Sequence, residues 1–83
     1  MKIHVQTYLK HFDIGIQDIW MCESCGRSKY IRDMDIHHIT LRSKGGGNNI
    51  ENLMCLCRHC HDEVHNNGKY VSLETSLMDR KHD

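Results

Sequence analysis

Residues 53–68 read Leu-Met-Cys-Leu-Cys-Arg-His-Cys-His-Asp-Glu-Val-His-Asn-Asn-Gly, and this stretch decides the fold. Leu53 to Leu56 is a short apolar run suited to a strand, and from Cys57 onward the pattern turns helical until Asn66-Asn67-Gly68 stops it. Cys57 and Cys60 form one Cys-x2-Cys pair, and Cys22 and Cys25 form another further upstream. Two such pairs predict a tetrahedral four-cysteine zinc site, each pair offering two sulfurs from one turn. The long spacer between them suits a β-hairpin carrying a functional loop. A closed four-thiolate site has no open position for chemistry, so its expected role is structural, with zinc contributing folding energy.

The chain has 83 residues, enough for one domain (1–83) but a modest core. Only 39% of it is apolar, with one Phe and one Trp, so a staple is expected. Five cysteines cannot all pair as disulfides, and metal ligation is the better use of them. No secretory signal and no bilayer-length apolar run is visible, which points to a cytoplasmic chain with reduced thiols and no membrane partner. The formal net charge is zero. That would speak against nucleic acid, but four buried thiolates need surface cations to offset them, so net charge does not decide the partner.

Outward from the core the chain divides into an N-terminal helix and linker (1–21), a zinc-braced core (22–70) and a polar tail (71–83). Val5, Tyr8, Leu9 and Phe12 fall at helical spacing, and Gly15 is a plausible stop. Ile3, Val5 and Leu9 also fit a strand, but the helix fits better; Ile16, Ile19 and Trp20 form the link that follows. Met34 to Ile39 alternates as a strand, with Asp35, His37 and Ile39 on one side and Met34, Ile36 and His38 on the other. Ser43 to Asn49, with three glycines and two asparagines, is a loop. The tail from Ser72 offers only Leu73 and Leu77 for weak contact and is expected to fray.

Four histidines remain to be explained. His61 and His65 are four apart on the predicted helix and share a face, so they can chelate one metal ion. His37 on the adjacent strand can complete a set of three nitrogens. His38 then points to the opposite side, unless a bend near Ile39 turns both rings into one groove. His4, His11, His59 and His82 join no such group and read as surface or packing residues. Cys55, inside the apolar run, reads as a small buried hydrophobe.

The stretch Asp35-Ile-His37-His38-Ile39, the glycines 45–47, Asn49-Ile-Glu-Asn52-Leu53 and Cys57-x2-Cys60-His61-x3-His65 resembles the zinc-braced HNH endonucleases, many encoded by bacteriophages. The resemblance runs from about Cys22 to His65. It implies an α+β fold of ββα-metal type and a metal-dependent enzyme that hydrolyses DNA phosphodiesters to 5′-phosphate and 3′-hydroxyl ends. It also implies His38 as general base, Asn52 as the loop-fixing asparagine that helps orient it, and His37, His61 and His65 as ligands of one catalytic divalent metal. His37 stands where many members have Asp, and a nitrogen-rich site suits Zn2+, Ni2+ or Mn2+ better than Mg2+. Arg42 and Arg58, and less so Lys44, flank the site as phosphate-contacting candidates. DNA is the implied partner, with phage packaging machinery or a similar protein as a second. The rival reading, a non-catalytic zinc-ribbon module binding DNA or protein, accounts for the cysteines and leaves the histidines unexplained. A nuclease toxin with an immunity partner or a homing enzyme would share the chemistry.

Overall fold

A computed structural model describes residues 1–80; His82 and the end of the tail lie outside the described residues. The order is helix α1 (Ile3–Phe12), strands β1 (Ile19–Met21) and β2 (Ser28–Tyr30), strands β3 (Met34–His38) and β4 (Leu53–Cys57), and helix α2 (Arg58–Asn67). The α+β class and the ββα order of the core are as expected. Asp13, at φ 53° in the left-handed region, ends α1, so Gly15 is not the stop. No helix among the described residues is long and apolar enough to cross a membrane.

β3 and β4 pair antiparallel in unbroken register from Met34↔Cys57 to His38↔Leu53. All five residues of β4 are buried, because α1 packs on one face of the hairpin and α2 on the other. The core joins Tyr8 and Leu9 of α1 to Met34 and Ile36 of β3 and to Leu53, Met54 and Leu56 of β4. Cys57 ends β4 and caps α2, its sulfur accepting from the Cys60 backbone N–H at 3.4 Å. Gly68, at φ 69°, ends α2 as the Asn-Asn-Gly signal predicts. β1 and β2 form a second hairpin that flanks the Cys22–Cys25 knuckle, in register Ile19↔Tyr30 to Met21↔Ser28.

Glu23, inside the knuckle, is fully buried. Its backbone N–H donates to Cys55 O at 2.8 Å while Cys55 N–H donates to its Oε2 at 2.8 Å, so the residue satisfies the free edge of β4. Tyr8 Oη donates to the same oxygen at 2.6 Å, and Trp20 Nε1 donates to Tyr8 Oη at 3.0 Å. Ser76 Oγ and Arg80 Nη1 reach Oε1 at 2.8 and 3.3 Å. The Arg80 guanidinium also donates to Leu53 O at 2.6 Å and Ile50 O at 3.0 Å, and it lies 5.4 Å from the Phe12 ring. As far as Arg80 the tail is therefore docked rather than frayed. Val71 enters the core at the start of the tail, and beyond it the hold is mainly polar: the Leu77 side chain stays exposed while its N–H donates to Glu23 O.

A buried carboxylate with this many donors is costly to remove. Glu23→Ala leaves the Arg80 charge and three further donors without their acceptor, and is expected to lower stability by about 3–5 kcal/mol. A denaturant titration of the metal-loaded protein measures it. A loss below about 1 kcal/mol would show that the network adds little.

Candidate metal centre and active site

The two cysteine pairs converge as expected. The sulfurs of Cys22, Cys25, Cys57 and Cys60 lie within 4.8 Å of one another, with Cys25 exposed and the other three buried. Backbone N–H groups prepare them for charge, Cys25 N–H pointing at Cys22 Sγ at 3.4 Å as Cys60 N–H does at Cys57. Burial alone would raise the Cys22 thiol, but hydrogen bonds from the backbone of Cys57, Cys25 and Ser24 outweigh it and hold it at about 7. Burial, then hydrogen bonds within the cluster, push Cys60 up to about 12. Four thiols this close cannot all ionise alone, and a divalent cation resolves that conflict. Cys55 stands apart: burial raises its thiol, and its sulfur contacts Met34 Sδ at 3.7 Å inside the core. It is a packing residue.

A second cluster forms where the end of β3 meets α2. Alternation points Asp35 and His37 at α2, whose His61 and His65 share a face at four-residue spacing. The ligand nitrogens of His37, His61 and His65 lie within 4.8 Å of one another. His61 donates Nδ1–H to Asp35 Oδ2 at 3.0 Å, which leaves its Nε2 lone pair facing His65 Nε2, also at 3.0 Å. A carboxylate behind a ligating imidazole is a common brace at metal sites. His37 is only 4% exposed. Burial first, then the neighbouring His61, His65 and His38, lower its imidazole to about 4, so it is neutral at physiological pH and its lone pair is available to a metal.

His38 goes the other way. Its ring meets that of His4 on α1, centroids 4.5 Å apart. The pairing is regular as far as His38 and the chain bends at Ile39 and Thr40, and both rings line one groove of about 660 Å³ that wraps around the hairpin's end from α2 to α1. The bend expected near Ile39 is present. His38 Nε2 lies 2.8 Å from Asn48 Oδ1. An amide oxygen only accepts, so Nε2 carries the proton and Nδ1 is left as the basic nitrogen.

Asn52 does not touch His38. Its Oδ1 accepts from Thr40 N–H at 2.7 Å, and its Nδ2 donates to Thr40 O at 3.0 Å and Gly47 O at 2.9 Å. Both N–H donors and the oxygen of the amide are used to staple the loop between β3 and β4. Gly46 sits under the staple, where a Cβ would fall 1.8 Å from Thr40 O. The residue in contact with His38 is Asn48, which the sequence hides in a glycine-rich turn. His4 also belongs to the groove rather than to the surface, and its imidazole is lowered by burial, then by His38, Lys2 and Arg42. Of the cationic candidates, Arg42 lines this groove, Arg58 lies in a neighbouring one, and Lys44 lines neither.

The HNH endonuclease family model matches residues 22–67. The type IV methyl-directed restriction enzyme EcoKMcrA of Escherichia coli (strain K12) is 31% identical over 70 residues, covering 77% of this chain and 25% of that protein. The chain thus spans about a quarter of that relative's length. No solved structure matches. The matched segment takes in both clusters and more than half of the residues, and the chain belongs to the HNH endonuclease family.

Proposed function

We propose that this chain is a metal-dependent DNA endonuclease, with His38 as general base and His37, His61 and His65 as the ligands of its catalytic metal. The observation that carries the reading is the groove itself. Three imidazole nitrogens converge at one end of β3, beside a fourth imidazole whose tautomer is set by Asn48. Nδ1 of neutral His38 accepts a proton from water as that water attacks the phosphorus. Asn48 holds the ring and keeps its proton on Nε2; Asn52 holds the loop that holds Asn48. Arg42 stands in the groove to meet phosphate oxygens. A divalent ion on the three histidines would supply a Lewis acid for the phosphoryl and leaving oxygens. The products would carry 5′-phosphate and 3′-hydroxyl ends.

The donor sets fit two different ions. Four thiolates suit zinc, held as a structural ion, whereas three imidazoles suit Mn2+, Ni2+ or Zn2+ ahead of Mg2+. A zinc-ribbon module without catalysis would have no use for the second cluster.

Supercoiled plasmid incubated with the zinc-loaded chain should be nicked on adding manganese or nickel and left intact in their absence. His61→Ala should weaken the second metal by about 10–100-fold or more, the scale seen when metal-site partners are lost, without releasing the cysteine-bound ion. No nicking with any divalent ion would reject the reading, and an unchanged second-metal affinity would remove His61 from the ligand set.

A further inference from the structure

Beside the histidine groove lies a smaller one of about 300 Å³, lined by Arg27, Lys29, Asp33, Cys57, Arg58 and His59. Arg27 immediately precedes β2 and Lys29 is its second residue, so the two stand two apart on the chain, and both are exposed. Arg58 begins α2 and is anchored by its Nη2 on Arg32 O at 3.4 Å. Among the described residues none of the three has a carboxylate within ion-pair distance. Three cations thus share the groove with one carboxylate, Asp33, without pairing to it, in a chain whose formal net charge is zero.

Offsetting the cysteine thiolates is the alternative use for these charges. The cation seen against a sulfur, however, is Lys69, whose Nζ lies 3.6 Å from Cys60 Sγ. The position of the groove suggests a different use. Arg58 in this groove and His61 in the other are three apart on α2, about 5–6 Å between Cβ atoms. A sugar–phosphate backbone passing over the histidine cluster reaches the second groove within about one helical turn.

We propose that Arg27, Lys29 and Arg58 form a second seat for DNA backbone phosphates, which holds the duplex while its scissile phosphate sits at the histidine cluster. The inference rests on the endonuclease reading and adds to it a binding surface on the cysteine knuckle. Phosphate contacts of this kind position the duplex without reading its sequence.

The test uses the catalytically silent His38→Ala chain, loaded with zinc, and a short duplex of arbitrary sequence. Binding is measured across a range of salt concentrations, with and without Arg27→Ala, Lys29→Ala and Arg58→Ala combined. Each phosphate contact contributes about 0.9 to the slope of log affinity against log salt. Loss of the seat should make that slope shallower by about 2–3 and weaken binding by about 10–100-fold at low salt. Lys29→Arg should keep the parent slope. An unchanged slope in the triple variant overturns the proposal. So does a triple variant that loses zinc and thermal stability while its slope stays the same, since the charges then serve the thiolates. Plasmid nicking by the otherwise unaltered chain separates the two readings. Nicking with an unchanged slope removes only the phosphate seat, and a changed slope without nicking removes the endonuclease reading.

Discussion

Plasmid cleavage by the His38→Ala chain should fall by about 10²–10⁴-fold, the range that general-base catalysis contributes. The fold should not change with it. His38 is half-buried at the end of β3, where its ring touches His4 and Asn48, and its cross-strand partner Leu53 and same-face neighbour Ile36 are themselves held in the core. Neither cysteine pair touches it, so the metal taken up by the four cysteines should stay at one equivalent. Asn48→Ala should act in the same direction more weakly, because it frees the ring without deleting it. Full cleavage by His38→Ala would place the base elsewhere in the groove, and a fall in thermal stability comparable to that of a core deletion would make the loss structural.

Stripping the ion from the four cysteines should unfold the protein. Apparent binding free energies for structural zinc are about 10–16 kcal/mol, more than the whole stability of an ordinary small domain. The structure gives no second source of comparable size, since the core is built from a dozen or so side chains across two helices and one hairpin. Cys57 concentrates the dependence: it ends β4, caps α2 and supplies a sulfur, so Cys57→Ser should lose the helix along with the metal. Far-ultraviolet circular dichroism after chelation, and again after zinc is restored, reads both losses and their reversal. A chain that keeps a cooperative melt without metal would show that its core suffices.

The features legible in the sequence are those whose partners repeat at short spacing. Cys57-x2-Cys60 and His61-x3-His65 announce a turn and a helix face by themselves, and the alternation in Met34–His38 announces a strand. Glu23 gives no such sign. A charged residue between two ligands reads as solvated, and only the meeting of Tyr8, Cys55, Ser76 and Arg80, up to 57 positions away, makes a buried site for it. The polar tail misleads for the same reason, because its anchor is a guanidinium rather than an apolar side chain. β1 and β2 are three residues each, and β2 is exposed throughout, so no burial pattern marks them. Asp35 was within reach: it shares a strand face with His37 and so must look toward α2. His4 was not, since its place against His38 depends on where α1 docks.

The Asn52 staple has a consequence for how such a chain can diversify. By tying Thr40 to Gly47 it closes a ring at its neck, so the two ends are held together by the amide rather than by the residues at the outer edge. Gly45, at that edge, has open space around its Cα, and Ser43 and Lys44 are exposed beside it. Lengthening a loop at such a point costs only about 0.6 kcal/mol per doubling. The ring therefore works as a socket: extra segments can be plugged into its rim while the imidazole it steadies keeps its place.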